Sequence, residues 1–356
     1  MPPPSPQAGA RAPRLTLEES SNQARAPLLE ALRGRPVEHT PIWFMRQAGR
    51  SLPEYRAVKQ HHSLLDICRE PELCAEVTLQ PVRRLGVDAA ILYADITLPL
   101  VEAGVGLDLV EGIGPVTSST VRTMEDALSL PQFEPMPLQA ETIRLVRSEL
   151  PPEIPLLGFA GAPFTLATYL IEGRPSRDFR HTKLLMYGEP DVWAAIMSRL
   201  TDMTINYLRG QIDAGVQAIQ LFDSWAGALS LNDYRRYVLP YSRQVFGAIT
   251  DVPTIHFATG AGALLRAMAE AGGDAVGVDW RLPIDSAWHD AGSRAIQGNL
   301  DPLTLLGPWA QVKAEAADIL ARVGGRPGHV FNLGHGVHPE TSPDQLARLA
   351  EFVHAG

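Results

Sequence analysis

The sequence contains very little cysteine, and this scarcity excludes two kinds of protein. Cys68 and Cys74 are the only cysteines among 356 residues. A disulfide-stapled scaffold needs several cysteine pairs, so the sequence excludes it. A spacing of six residues suits neither a zinc knuckle nor a redox-active pair. We therefore predict that both side chains are small, buried apolar groups.

Long apolar runs and an excess of basic charge are also missing. No run reaches the roughly 20 residues that a membrane-spanning helix needs. Acidic residues outnumber basic residues by 40 to 31, which gives a formal net charge of −9. Because nucleic-acid binding calls for a basic surface, we predict neither a nucleic-acid partner nor a membrane partner.

The beginning of the chain lacks the continuous apolar core of a secretory signal. It is instead rich in Pro, Ala, Ser and Arg. This composition predicts a disordered leader over residues 1–22 and a protein that stays in the cytoplasm.

The common catalytic motifs are absent or broken. A glycine pair follows one predicted strand, but Leu265 occupies the third glycine position of the dinucleotide fingerprint. Phe222 stands where the nucleophile elbow of a Ser-His hydrolase would place a glycine before Ser224. His335 and His338 share a loop that offers few other metal ligands, so we interpret them as loop hydrogen-bonding groups.

The sequence does contain a regular alternation of short apolar segments and helices. Uninterrupted apolar strands joined by helices predict a parallel sheet covered on both faces. Eight such units favour a closed (β/α)8 TIM-type barrel over an open doubly wound sheet, with one catalytic domain over residues 23–356. The predicted strands are 41–45, 88–94, 155–160, 216–222, 253–257, 274–278, 295–297 and 330–333.

Two further segments carry predictions of their own. Residues 97–129 have the glycines and alternating apolar residues of an additional β excursion, and residues 231–249 have the pattern of one helix. In a barrel of this kind the active site lies at the carboxyl ends of the strands.

Polar side chains follow the predicted strands at these ends. Arg46, Gln47 and Arg50 follow the first strand. Guanidinium groups stay charged and form forked hydrogen bonds with carboxylates or phosphates, so we predict an anion-binding site here. Asp95 follows the second strand, where capping a helix is an equally common role for an aspartate. Arg56 is predicted either to have a structural role or to support the residues that touch the ligand.

Several long motifs resemble those of one family. The N-terminal signature of uroporphyrinogen decarboxylase resembles Phe44-Met45-Arg46-Gln47-Ala48-Gly49-Arg50 together with Leu52-Pro53-Glu54-Tyr55-Arg56. Four more motifs resemble that family in the same order, so the resemblance runs from about residue 24 to the end. They are Gly158-Phe159-Ala160-Gly161-Ala162-Pro163-Phe164-Thr165-Leu166 with Thr168-Tyr169, Leu221-Phe222-Asp223-Ser224-Trp225-Ala226-Gly227, Gln297-Gly298-Asn299-Leu300-Asp301-Pro302 and Asn332-Leu333-Gly334-His335-Gly336.

The resemblance implies a function as well as a fold. It implies a single-domain (β/α)8 barrel, usually a homodimer, that removes four acetate carboxyls from uroporphyrinogen III to give coproporphyrinogen III. It implies that no metal, flavin or other cofactor takes part. By motif match, the implied substrate-binding residues are Arg46, Gln47, Ala48, Gly49, Arg50, Asp95, Tyr169, Ser224 and His335.

Elementary chemistry assigns roles to three of these residues. Loss of CO₂ from a pyrrole acetate needs an electron sink, and protonation of the pyrrole ring supplies one. A carboxylate facing the pyrrole N–H groups stabilises the resulting cation, so we predict that Asp95 is the transition-state stabiliser. Arg46 and Arg50 are predicted to anchor carboxylates. They are also catalytic candidates, although the high pKa of arginine makes it a poor proton donor.

Two other functions fit parts of the sequence. The arginines would suit a tetrapyrrole-binding protein without catalysis. A corrinoid-linked methyltransferase on the same barrel would need a zinc site with cysteine late in the chain, but no cysteine follows Cys74. The basic segment 172–183 has three open interpretations: a lid over the site, a dimer contact or a solvated loop.

Overall fold

The computed structural model describes residues 26–110, 112–293 and 295–356. The predicted leader, residues 1–22, lies outside the described residues. The helices are α1 Pro27–Leu32, α2 Pro53–Lys59, α3 Leu64–Arg69, α4 Pro71–Leu85, α5 Leu98–Glu102, α6 Met124–Ser129, α7 Pro137–Glu149, α8 Pro163–Glu172, α9 Arg180–Gly188, α10 Pro190–Ala214, α11 Leu231–Tyr237, α12 Leu239–Ala248, α13 Leu265–Ala271, α14 Ile284–Ala291, α15 Trp309–Val323 and α16 Pro343–His354. Short 3₁₀ turns cover Ala226–Ala228, Gly262–Leu264 and Pro302–Leu306.

Many of these helices begin on a proline. Its fixed φ suits the first helical turn, where the missing N–H would have no partner within the helix. The same chemistry corrects one prediction, because residues 231–249 form two helices rather than one. Pro240 has no N–H for a continuous helix, and the chain breaks at Val238, which has φ −123° and ψ −52°.

The central element is a curled, seven-stranded parallel sheet. Its strand order is β1-β4-β5-β6-β7-β8-β9, and a separate antiparallel hairpin pairs β2 with β3. This hairpin confirms the predicted β excursion. The strands are β1 Ala90–Ile91, β2 Leu107–Val110, β3 Gly114–Thr117, β4 Leu156–Gly161, β5 Ala218–Phe222, β6 Thr254–Phe257, β7 Ala275–Gly277, β8 Ala295–Gln297 and β9 His329–Val330.

Seven of the eight predicted barrel strands coincide with a strand of this sheet, but the first does not. Residues 41–45 contribute only an isolated parallel bridge from Ile42 to Phe331. The reason is that two backbone N–H groups of the segment bond to side chains instead of a neighbouring strand. Phe44 N–H donates to Gln47 Oε1 at 3.0 Å, and Met45 N–H donates to Asn332 Oδ1 at 3.2 Å.

The segment 41–43 nevertheless lies between the two edge strands of the sheet. On one side, Phe331 N–H donates to the Pro41 carbonyl at 2.8 Å, and on the other, Asp88 N–H donates to the Ile42 carbonyl at 2.8 Å. Trp43 reaches the sheet through its side chain, because its indole N–H donates to Gln297 Oε1 at 2.9 Å. Polar bonds therefore fix the place of this segment beside the buried sheet.

One of the two cysteines belongs to the buried interior. Cys74 is buried, as predicted, whereas Cys68 is only half-buried. Both are free thiols, and both donate to the Tyr93 carbonyl, at 3.3 Å and 3.8 Å. Across the described ranges, no helix is both long and apolar enough to cross a membrane.

Candidate active site

Arg46 directly follows the segment 41–45 and is the first residue of the candidate site along the chain. Its backbone has a φ of 61°, in the left-handed region that residues with a side chain rarely adopt. Its side chain is exposed and lies against Gly336, where an added methyl group would fall 2.5 Å from Arg46 Cδ. The aliphatic part of the Arg46 side chain therefore fits only because residue 336, in the loop after the last strand, is a glycine.

The residues after Arg46 form a compact turn. A Cβ on Gly49 would fall 2.8 Å from the Arg46 carbonyl oxygen, so only glycine fits without a backbone shift. Arg50 is exposed. Arg56 confirms its predicted structural role, because its Nη1 donates to the carbonyls of Arg50 at 2.9 Å and Ser51 at 3.0 Å. The turn therefore holds both predicted anchoring arginines at one edge of the sheet.

Gln47 is fully buried, and its side chain is used within the fold. Its Nε2 donates to the Ala89 carbonyl at 2.9 Å, while its Oε1 accepts from Phe44 N–H. The amide thus joins the turn to the start of β1. Direct contact between this residue, or the half-buried Ala48, and a substrate stays a prediction.

Asp95 lies at the carboxyl end of the chain segment that contains β1, and it is half-buried. Its Oδ1 accepts from Thr97 N–H at 2.8 Å and from the Thr97 hydroxyl at 2.6 Å. Thr97, not Asp95, is the residue that precedes α5, so the carboxylate does not cap that helix. Within the described part of the chain, Oδ2 of Asp95 forms no hydrogen bond, which leaves this oxygen available to a ligand.

Tyr169 on α8 stands close to the charges of Asp95 and Arg46. Burial is the main cause that raises the pKa of Tyr169; the Asp95 carboxylate raises it further, and the Arg46 guanidinium lowers it. The Tyr169 ring packs edge-on against Trp225, with centroids 6.1 Å apart. Three residues predicted from different strands are therefore within electrostatic reach of one another.

Ser224 follows β5 beside this aromatic pair and is half-buried. Its carbonyl accepts from the Thr259 hydroxyl at 2.9 Å, which ties the end of β5 to the end of β6. Its neighbour Asp223 is fully buried: its Oδ1 accepts from the Thr165 hydroxyl at 3.1 Å, and its Oδ2 lies 3.8 Å from His256 Nε2.

His335, in the loop that follows the last strand, is within electrostatic reach of Arg46. Burial lowers the pKa of His335 to about 4, with further lowering by the Arg46 and Arg281 guanidinium groups and a smaller opposing effect from Asp279. The imidazole is therefore neutral at neutral pH. A neutral ring next to two cations can donate to a substrate carboxylate without adding a third positive charge.

Arg281 is the residue of this site that the sequence interpretation missed. Its Nη1 donates to Asp279 Oδ2 at 2.5 Å, and its guanidinium carbon lies 4.2 Å from the centre of the Trp280 ring. The Asp279 carboxylate also accepts from Gly260 N–H, which joins the loops after β6 and β7. The available signal was position alone, since Arg281 comes three residues after the predicted end of the sixth strand, at residue 278.

The basic segment 172–183 is fastened at both ends. Glu172 Oε1 accepts from the N–H and the hydroxyl of Thr182, both at 2.8 Å. Phe179 is buried and stacks near Trp225, with centroids 5.5 Å apart. Three of its arginines are exposed, namely Arg174, Arg177 and Arg180. The segment thus lies beside the site with its arginines exposed, whereas Lys183 Nζ donates to the Ala228 carbonyl at 2.8 Å.

The remaining loop histidine behaves as predicted. His338 Nδ1 accepts from Glu340 N–H at 3.4 Å, a hydrogen bond within its own loop. 

We expect His335 to titrate with a pKa of about 4 in the folded protein. Because Arg281 disfavours the imidazolium, Arg281→Ala should raise this pKa without restoring the ordinary value, as burial remains. The unfolded chain binds the proton more readily between about pH 6.5 and pH 4, so His335 makes the fold less stable as pH falls through that window. Two-dimensional NMR of the histidine ring signals measures both values, and equal pKa values in the two proteins would contradict this electrostatic assignment.

A parallel sheet surrounded by helices, with arginines and one carboxylate where the strands end, defines a TIM-barrel-like protein with charged side chains at its mouth. Among solved structures, a methyltransferase from Methanosarcina mazei has a similar fold, with a TM-score of 0.78 and 21% identity over 92% of this chain and 97% of that one. At this identity the likeness shows the fold alone.

Sequence comparisons identify the family. The family model described as uroporphyrinogen decarboxylase matches residues 23–356, and this chain belongs to that family. A relative named uroporphyrinogen decarboxylase, from Salinispora tropica, is 56% identical over 93% of this chain and 90% of its own length. Another of the same name, from Saccharopolyspora erythraea, is 53% identical over 93% of this chain and 95% of its own.

Proposed function

We propose that this chain decarboxylates uroporphyrinogen III, converting its four acetate side chains to methyl groups and releasing four CO₂ to give coproporphyrinogen III. It acts as a carboxy-lyase in porphyrin biosynthesis. The observation that carries the proposal is Asp95: in a chain of this family, one carboxylate oxygen is held by Thr97 at the mouth while the other is open.

The proposed chemistry uses groups of the chain and no cofactor. A proton adds to the pyrrole α-carbon next to the ring carbon that bears the acetate arm, which makes the ring an iminium cation conjugated with the arm-bearing carbon. The bond between the arm and its carboxylate then breaks, CO₂ leaves, and the electron pair enters the ring. A second proton converts the arm to a methyl group as the ring proton is lost. The Asp95 carboxylate accepts hydrogen bonds from the pyrrole N–H groups and stabilises the cation.

The carboxylates of the substrate lie around its rim, where the arginines of the chain bind them. Arg46 and Arg50 anchor these groups, and one of them is the candidate for proton delivery. Tyr169, Ser224 and neutral His335 donate hydrogen bonds to the same rim. We assign Arg281 to this set because its charge acts on His335 together with that of Arg46.

The activity is tested by incubating purified chain with uroporphyrinogen III under reducing conditions. Mass spectrometry of the oxidised products should show the stepwise loss of four carboxyl groups. Tight binding with unchanged substrate would overturn the proposal in favour of a non-catalytic tetrapyrrole binder.

Replacing Arg281 should weaken substrate binding more than turnover. A hydrogen bond to a charged group contributes about 1.5 kcal/mol or more, so Arg281→Ala should raise KM about tenfold with a smaller change in kcat. Arg322→Ala is the matched control, since Arg322 is an exposed arginine that pairs with Asp318 at 2.6 Å. Steady-state kinetics decides, and equal KM values for the two variants would remove Arg281 from the site.

We further infer that residues 23–356 form one catalytic domain and that the curled sheet closes into an eight-stranded barrel. The bonds from Pro41 to Phe331 and from Ile42 to Asp88 support 41–45 as the eighth position. A homodimer is supported by exposed apolar side chains on α9, where Leu184 is 58% and Tyr187 52% exposed. Light scattering of the purified chain tests the dimer, while cytoplasmic localisation stays a prediction.

A further inference from the structure

A second cluster of ligand-type side chains lies far from the mouth. His39 precedes the segment 41–45, Asp88 precedes β1, and His354 is the last residue of α16. The first two therefore mark the amino ends of neighbouring strand positions, whereas the active-site residues follow the carboxyl ends. The cluster therefore lies at the opposite end of the strands from Asp95 and Arg46.

The three side chains converge on one carboxylate. His39 Nε2 lies 3.0 Å from Asp88 Oδ1, and His354 Nε2 lies 2.8 Å from Asp88 Oδ2. The two imidazole rings have centroids 4.6 Å apart. One potential ligand atom from each residue can be chosen so that all three atoms lie within 4.8 Å of one another. Among the described residues, this is the group of His, Cys, Asp or Glu side chains close enough to share a metal ion.

The backbone holds the carboxylate in place. Ile42 N–H donates to Asp88 Oδ2 at 2.7 Å, and Asp88 N–H donates back to the Ile42 carbonyl at 2.8 Å. The Asp88 side chain is only 9% exposed, whereas those of His39 and His354 are 29% and 30% exposed. Outer hydrogen bonds of this kind orient the ligands of metal sites.

We propose that His39, Asp88 and His354 bind a divalent transition-metal ion, with zinc as the ion that fits best. Two imidazole nitrogens and one carboxylate oxygen are a common zinc ligand set, with bonds of about 2.0–2.2 Å. Tetrahedral geometry then places neighbouring ligand atoms roughly 3.3–3.5 Å apart. The ligand atoms, now within 4.8 Å of one another, reach that arrangement only if the side chains rotate toward the ion, and the partial exposure of both histidines allows water as the fourth ligand.

The chemistry of binding needs no added reagent. Each imidazole turns an Nε2 lone pair to the ion and keeps its proton on Nδ1, and the carboxylate gives up its hydrogen bonds from the two rings. The ion then links the last helix to the chain before the first two strand positions. Its role is structural, because the ligands lie away from the decarboxylation site.

The test uses untagged full-length chain from which metal has been removed by a chelator. Zinc is titrated in competition with a chromophoric chelator, and cobalt(II) is titrated while visible absorption is recorded. We expect one saturable equivalent of zinc, the visible bands of four-coordinate cobalt and a higher Tm with zinc. Failure of the wild-type chain to take up either ion would overturn the site.

Variants assign the binding to these residues. His354→Gln keeps a hydrogen-bond donor for Asp88, and Asp88→Asn keeps the shape of the side chain, so both should fold. Each should weaken zinc binding at least about tenfold, because even outer partners of a metal ion contribute 10–100-fold. His61→Ala, at an exposed histidine outside the cluster, should bind as the wild type does. Equal zinc affinity in all four proteins would overturn the proposal, whatever the decarboxylase activity.

Discussion

Asp95→Asn should lose about 100- to 1,000-fold in kcat and remain folded. This range is the usual cost of removing one preorganised group that faces charge in a transition state, about 2.7–4 kcal/mol. Asparagine keeps an Oδ1 acceptor for Thr97 N–H and for the Thr97 hydroxyl, so the turn that Asp95 makes survives. The substitution removes only the negative charge that the cationic pyrrole needs.

A second variant separates charge from shape. Asp95→Ala loses the turn as well as the charge, and we expect it to be at least as inactive and slightly less stable. Asp126→Asn is the matched control, because Asp126 also accepts from nearby backbone N–H groups, those of Arg122 and Thr123, both at 2.9 Å, but stands away from the mouth. Circular dichroism and single-turnover decarboxylation measure the two effects. If Asp95→Asn turned over about as fast as Asp126→Asn, Asp95 would not be the group that stabilises the cationic transition state.

Gly334→Ala should damage both the fold and the site. A Cβ at Gly334 would overlap the backbone nitrogen of Trp280 and would fall 2.9 Å from Cε3 of its ring and 3.0 Å from the Asp279 carbonyl carbon. The loop cannot simply move away, since Gly334 N–H donates to the Leu300 carbonyl at 2.7 Å. We expect a loss of about 1–3 kcal/mol of unfolding free energy, the usual cost of overpacking.

The damage should reach the substrate as well. The clash pushes the loop that carries Asp279 and Arg281 away from the loop that carries His335, so KM should rise. Gly210→Ala is the control: Gly210 is exposed in α10 with no heavy atom near its added Cβ, and alanine there should stabilise the helix by about 0.5–1 kcal/mol. Denaturant melts and KM are compared. If Gly334→Ala had the same denaturant midpoint and the same KM as the wild type, the packing described around Gly334 would be wrong.

The sheet could be predicted largely from the sequence, because continuous apolar strands between helices leave few alternatives. The first strand position could not be predicted in detail. Its apolar residues look like any buried strand, but the N–H groups of Phe44 and Met45 bond to Gln47 and Asn332. A pattern of hydrophobicity carries no information about side chains that replace a neighbouring strand.

The candidate site was predictable where a motif carried it and not elsewhere. The motifs led to Arg46 and Asp95, and the structure gives Asp95 an open oxygen that no pattern could foresee. Arg281 was missed because its relevance comes from electrostatic reach to His335 across two loops. The cluster of His39, Asp88 and His354 was missed for a similar reason, since residues so far apart in the chain meet only after folding.

The contact between Arg46 and Gly336 has a consequence for how this family varies. The stem of the arginine lies in the space where a side chain at position 336 would stand. A larger residue at 336 is compatible only with a shorter or redirected side chain at 46. The two positions are therefore coupled across almost the whole length of the chain, and substitutions at one constrain those that the other accepts. A library that varies position 46 alone would sample only the shapes that glycine at 336 permits.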